Sequence, residues 1–404
     1  MYALNFKKTE SECRALAEQR KEENAVFCSQ YLKELGDKQH EIQEDSDCEG
    51  PVEPEFTRKE YRFSKFDGNT FGRKKAANED EFARAEGIRF EYCDFAGCGF
   101  SNIVFKNCLF IGCKFTECFS LGHGTVFESC SFNRRTPGKN SIDDMPSTFE
   151  SCELTIRLTG CDMSGIVATK SHFYYSTFSG IDMNDAIFVD CVFDIARISD
   201  CDMRNTKIVG AKFNDFSIED SSAYTRVNEK TFLGRAVFNA KERMEAVSTS
   251  EAYRLFSKLF ENCNIPDMSG EYFYLSKKAE INLLGGFTRI KAILGYITCG
   301  FGERPSFSLL SSLAVVLVCG FLYMMLGVNV GNEFKSFIPL IGMPMPPFAD
   351  VVNWFHFSLV TFTTVGYGNV VPVGGSIIVS GVEMVLGVIM VGTWVSTLVR
   401  KMTR

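Results

Sequence analysis

The stretch Thr363-Thr364-Val365-Gly366-Tyr367-Gly368-Asn369 has residue types suited to holding a bare cation. A cation that sheds its water needs a cage of oxygens, and backbone carbonyls provide one if consecutive residues all turn them the same way. Glycine makes that path cheap, because it occupies backbone angles that other residues reach only with strain. Here Gly366 and Gly368 alternate with Val365 and Tyr367, whose side chains can point away from the ion and brace the ring. Thr364 can add a hydroxyl oxygen. One such loop cannot surround an ion, so four chains are implied.

The elements that must position this stretch lie on either side of it. A short helix is expected over 353–362, too short to span a membrane. Residues 306–328 are free of charge and 373–399 carry one ionisable residue, Glu383; each is long enough to cross the hydrocarbon. The arrangement resembles the pore loop and inner helix of potassium channels. That resemblance, over 305–404, implies a tetrameric, two-span α-helical pore domain. The carbonyls of Thr364, Val365, Gly366 and Tyr367 would line the K+ path, with Gly368 closing the filter and Thr363 and Asn369 supporting it. K+ is the transported ion, and no organic cofactor is implied. Gly300-Phe301-Gly302-Glu303-Arg304-Pro305 resembles the Gly-Tyr-Gly-Glu-Arg-Pro element of bacterial two-span channels, with Phe301 in place of tyrosine.

Two departures matter. The residue after the second filter glycine, commonly Asp, is Asn369, and the position four before the filter threonine, acidic in some relatives, is Val360. A carboxylate pair behind the filter is therefore unavailable, and any inactivation that depends on one is altered. Glu383 either faces the cavity and concentrates cations or hydrogen-bonds behind the pore helix; an intramembrane charge is a functional candidate by default. Gly387 lies near the position of the family's gating hinge, though a membrane glycine also serves close packing. Repeated arginines of a voltage sensor are missing. Arg289, Lys291 and Arg304 precede the first span and Arg400, Lys401 and Arg404 follow the second. The positive-inside rule then places both termini in the cytosol of a multi-pass protein of the cell membrane.

Composition sets the outer limits. The chain has 404 residues, 45% hydrophobic and 23% charged, with a net charge of −7, so nucleic-acid binding is not expected. No secretory leader is evident in residues 1–12. Sixteen cysteines in such a chain read as free core thiols rather than disulfides or a zinc site. No catalytic constellation appears, so an enzyme is not expected.

From Phe90 the sequence repeats every five residues: Phe90, Phe95, Phe100, Phe105, Phe110 and Phe115, with Ile88, Cys93, Cys98, Ile103, Cys108 and Cys113 two places before. After phase slips the run resumes at Leu158 and reaches Ile218. Five residues advance a helix by about 140° past a full turn, and an odd spacing alternates the faces of a strand. The chain must therefore bend at every repeat. The pattern resembles the pentapeptide-repeat family, which implies a right-handed, four-sided β-helix in which residues twenty apart stack. Phe216 breaks the pattern and is expected to end the coil.

The domain expectation is a helix and acidic linker over 1–60, a pentapeptide-repeat β-helix over 61–220, a helical connector over 221–304, and the pore domain over 305–404; the fold class is α+β multidomain. The first helix, from Ser11, either binds a partner or packs on its own domain. Ser248-Thr249-Ser250-Glu251 is a possible capping box for a helix over 252–262. Phe287, Ile290, Leu294 and Ile297 share one face of an interfacial helix on membrane lipid. The loop 133–148 is a candidate ligand or partner site. Functionally, the leading expectation is a homotetrameric channel with a regulatory or assembly module facing a cytoplasmic ligand or protein. The alternative is a membrane-tethered pentapeptide-repeat binding protein, a topoisomerase-binding DNA mimic or scaffold, with a secondary or non-conducting pore.

Overall fold

The computed structural model describes residues 5–36, 56, 59–133, 145–221, 223–331, 333–338 and 346–402. They form two compact units, 1–280 and 281–404.

The first unit is a β-solenoid. Its rungs lie on four columns, seen in the in-register pairs Phe90 with Phe110, Phe95 with Phe115, Phe173 with Phe193, and Phe178 with Ile198. Each pair is twenty residues apart, one full turn of four repeats. The stacked rings report the strand spacing directly: Phe95 and Phe115 are 4.8 Å apart at 3°, and Phe90 and Phe110 4.9 Å apart at 8°. The bend at each repeat is a left-handed residue. From Gly160 through Gly165, Lys170, Tyr175, Gly180, Asp185, Asp190, Ile195, Asp200, Asn205 and Gly210 to Asp215, every fifth residue has positive φ. Glycine, Asn and Asp tolerate that region best, which explains most of these identities.

The thiols two places before each centre are not inert filler. Cys98 donates to the Phe66 carbonyl at 3.3 Å, Cys118 to Phe95 at 3.2 Å and Cys130 to Phe105 at 3.3 Å, while Thr206 donates to Met183 at 2.7 Å. Each bond ties a coil to its neighbour. All described cysteines are free.

The coil begins earlier than the phenylalanine run suggests. Tyr61, Phe66 and Phe71 are also five apart and pair with Phe90, Phe95 and Phe100. An intervening excursion lengthens that turn, so the spacing there is not twenty. The coil also ends later. Residues 223–242 are not helical; bridges from Asp202 to Arg226 and from Lys207 to Phe232 add an irregular last part-turn. Phe56 stacks on Phe71 at 4.7 Å and plugs the first end. Phe213 and Phe216 meet Phe256 at the other. Both coverings blunt an exposed sheet edge.

Helix α1 (Phe6–Gly36) starts before Ser11 and packs on its own domain. Ala17 and Leu16 sit on Val167, Ile187 and Val189, and Arg14 pairs with Asp190. Phe6 reaches Phe232 and Tyr272 near the last coils, and Phe27 approaches Tyr92 near the first. Helices α2 (Arg243–Asn262) and α3 (Pro266–Glu280) form a hairpin over the last coil. The expected capping box is not used: Thr249 and Ser250 are buried inside α2, where Ser250 faces Ser276 of α3. The buried hydroxyls of Tyr253 and Tyr272 accept from the backbone of Ala236 and Leu233, fastening the hairpin to the solenoid. The loop 134–144 lies outside the described residues.

The second unit is helical. It comprises α4 (Gly286–Cys299), α5 (Pro305–Leu326), α6 (Phe348–Phe362) and α7 (Gly375–Met402). Helix α6 begins five residues before the sequence expectation. A three-stranded antiparallel sheet, Val328–Val330 with Glu333–Lys335 and Val370–Pro372, joins the ends of α5, α6 and the loop before α7.

Candidate ion-conduction site

Helices α5 and α7 are long and apolar enough to cross a membrane. Between them, α6 is amphipathic enough to bury Trp354, Phe357, Ser358, Thr361 and Phe362 and leave its other side open. Gly320 makes the approach of α5 possible, since a Cβ there would come within 2.5 Å of the Phe355 ring. Tyr323 and Phe357 pack edge-on at 4.7 Å. The Trp354 indole donates to the Lys335 carbonyl at 3.4 Å, and Lys335 pairs with Asp350 at 2.7 Å.

The loop from Thr363 follows directly from the end of α6. The Thr364 amide donates to Thr361 and the Val365 amide to Val360, each at 3.0 Å. Thr364, Gly366 and Gly368 have φ of 57°, 58° and 77°, whereas Val365 and Tyr367 are not left-handed. Alternating handedness is the backbone device that turns successive peptide groups the same way. Thr363, Thr364, Val365, Gly366, Tyr367, Gly368 and Asn369 are all exposed in the single chain. Tyr367 lies parallel to His356 with centroids 6.0 Å apart. In one chain this stretch is open to solvent and encloses nothing.

Glu383 is fully buried behind α6. Its carboxylate accepts from the Tyr323 hydroxyl of α5 at 2.6 Å and from the Ser358 hydroxyl of α6. The Ser358 hydroxyl oxygen also lies 2.8 Å from the Val316 carbonyl, so its single proton is shared between two acceptors. This one side chain ties α5, α6 and α7 together. Gly387, one turn on, touches the end of α6: a Cβ there would lie 2.0 Å from the Phe362 carbonyl oxygen.

At the other end of α5, Gly300, Phe301 and Gly302 have φ of 53°, 55° and 83°, forming a tight left-handed elbow after α4. Glu303, nearly buried, pairs with Arg400 near the end of α7 at 2.9 Å. No sequence periodicity points to that pair; the resemblance at 300–305 drew notice to Glu303 but not to its partner. Large apolar side chains remain exposed on α4, α5 and α7, Phe287, Ile290, Leu294 and Ile297 of α4 among them. Apolar surface on that scale marks membrane or partner contact.

Residues 312–404 match a family model described as ion channel, and residues 156–190 match the model for pentapeptide repeats, in eight copies. The chain thus carries an ion-channel domain and a pentapeptide-repeat domain, and with its two apolar helices it is a membrane protein. No curated protein matches it. Among solved structures, full-length QnrB1, a plasmid-mediated fluoroquinolone resistance protein, is 16% identical, with 42% of this chain and 94% of that one covered at a TM-score of 0.18. HetL, a pentapeptide repeat protein involved in heterocyst differentiation regulation from Nostoc sp. strain PCC 7120, is 10% identical, with 44% and 76% covered at 0.21.

Proposed function

We propose that the protein is a subunit of a homotetrameric potassium channel of the cell membrane, with its pentapeptide-repeat domain acting as a cytoplasmic regulatory module. The alternation of left-handed Thr364, Gly366 and Gly368 with Val365 and Tyr367, at the end of a helix held by two apolar spans, carries the reading. Four such strips around an axis form the oxygen cage that one chain lacks. The carbonyls of Thr364, Val365, Gly366 and Tyr367 replace the water of K+, and the C-terminal end of α6 aims its dipole at the cavity, which favours a cation.

In this reading Glu383 holds α6 in place from behind and does not line the cavity. Gly387 serves the close packing of α7 on α6. The basic residues Arg289, Lys291, Arg304, Arg400 and Lys401 stay on the cytoplasmic side, and the apolar face of α4 lies in the lipid interface.

The test is potassium against sodium flux through the purified full chain in liposomes, with barium as blocker. Selective, barium-sensitive potassium flux is expected; equal flux of both ions refutes the filter assignment. Removing residues 1–220 tests the regulatory role, and an unchanged open probability sinks it.

A further inference from the structure

Helix α1 does not lie flush on the solenoid along its whole length. Under its second half a cleft of about 440 Å³ opens against the seven-stranded face, within the range of small-molecule sites. Its floor is one register column of that face, in which Lys65 pairs with Asp94, Asp94 with Lys114, and Lys114 with Thr148. Its side wall is aromatic. Phe63 stacks on Tyr92 at 5.2 Å and 14°. Tyr92 lies over Gly112, where a Cβ would come within 2.8 Å of its ring, so the missing side chain leaves room for it. Lys21, Asn24 and Cys28 of α1 form the roof.

The cleft lining carries three lysines, Lys21, Lys65 and Lys114, and three carboxylates, Glu22, Asp94 and Glu150, but among the described residues only Lys21 and Glu150 are paired with each other. Lys21 is used by the fold, bonded to Thr169 and paired with Glu150. Lys65 and Lys114 are exposed, and among the described residues neither ammonium has a hydrogen-bond or ion-pair partner. Asp94 lies between them in the register column, with one buried carboxylate oxygen that has no hydrogen-bond partner among the described residues, and Glu22 stands exposed on α1. The two lysines are two rungs apart, about 9.6 Å along the stack, so their long stems can converge on one group. Beside a flat aromatic wall, that group belongs to an anion that also carries a ring.

We propose that the cleft beneath α1 binds a nucleoside monophosphate, its phosphate held by Lys65 and Lys114 and its base against Tyr92 and Phe63. Because α1 supplies the roof, an occupant binds helix and solenoid together and stabilises the packed position of α1. This names the ligand of the regulatory module and rests on that reading only for its effect on the pore. Binding is measured without flux, so an empty cleft leaves the filter assignment standing, and a non-conducting pore leaves the cleft standing.

The experiment is calorimetric titration of the detergent-solubilised full chain with AMP and GMP, with adenosine and inorganic phosphate as separate arms. Saturable binding of AMP or GMP below about 1 mM is expected. Lys65→Gln combined with Lys114→Gln should weaken it by about tenfold or more, as for loss of charge-assisted bonds. Both lysines are exposed, so that variant keeps the fold, checked by its thermal midpoint. Tyr92→Ala should weaken the nucleotide and leave inorganic phosphate unchanged. Three results overturn the proposal: no saturable heat with either nucleotide at about 5 mM, well above ordinary metabolite-site affinities; nucleotide affinity unchanged in the lysine variant; or phosphate alone binding as tightly as the nucleotide.

Discussion

Gly387→Ala adds one methyl group at the point where α7 touches the end of α6. The added Cβ would sit 2.0 Å from the Phe362 carbonyl oxygen and 2.9 Å from its carbon, and contacts under 3.0 Å essentially do not occur. The partner is backbone, so no side chain can swing aside. Either α7 or the end of α6 must retreat by about 1 Å, and Phe362 is only two residues from Thr364. A displacement of that size at a positioned site commonly costs about a hundredfold in function. The expected outcome is a large loss of potassium-over-sodium selectivity in liposome flux. Gly392→Ala is the control, because a Cβ at Gly392 meets nothing within 4 Å; its selectivity should match the parent. A hinge role for Gly387 predicts something else: reduced opening with selectivity intact. Full selectivity in Gly387→Ala would refute the packing argument.

Removing the Tyr323 hydroxyl takes one side-chain donor from the buried Glu383 carboxylate. Tyr323→Phe should lower the stability of the solubilised pore unit by about 1–3 kcal/mol, read by thermal or denaturant unfolding, and Ser358→Ala should not add to it fully, since both act on the same carboxylate. The Glu303–Arg400 pair fastens the foot of α5 to the end of α7. Because Arg400 is partly exposed, the pair is weak, about 1 kcal/mol or less, so Glu303→Gln should raise open probability in bilayer recordings only a few-fold. Exchanging the two charges should restore the parent value. Burial pushes the Cys191 thiol up to about 12 and the Cys201 thiol up to about 11, from an ordinary 9.0. A raised thiol value means that the unfolded chain loses its proton first. These groups therefore support the solenoid fully below pH 9, and that support is lost between about pH 9 and 12, which alkaline denaturation monitored by circular dichroism will show. At pH 8 both thiols should resist alkylation until the coil unfolds.

Much of this architecture is carried by local pattern. The residues proposed as the filter, the two apolar helices and the phenylalanine repeat are each decided by neighbours within a few positions, and such signals survive in a linear reading. The bend of the coil is also legible there: most corners from Gly160 to Asp215 are Gly, Asp or Asn, with Lys170, Tyr175 and Ile195 the exceptions, because a left-handed corner favours those types. The short run Tyr61, Phe66, Phe71 was equally visible, but a longer excursion before Phe90 hid its link to the next turn.

Local pattern alone specifies a chain that coils in units of five and then sets a Thr-Val-Gly-Tyr-Gly stretch between two long apolar helices. Only the tertiary structure decided which distant groups meet. Glu383 finds Tyr323 and Ser358 on two other helices, Arg400 at the end of α7 finds Glu303 at the foot of α5, and α1 runs over the seven-stranded face and leaves a cleft lined by charged and aromatic residues. Polar pairs of that kind have no period to betray them. A buried carboxylate needs donors and a glycine needs a close neighbour, yet nothing in the linear order says which helix supplies them until the helices have packed.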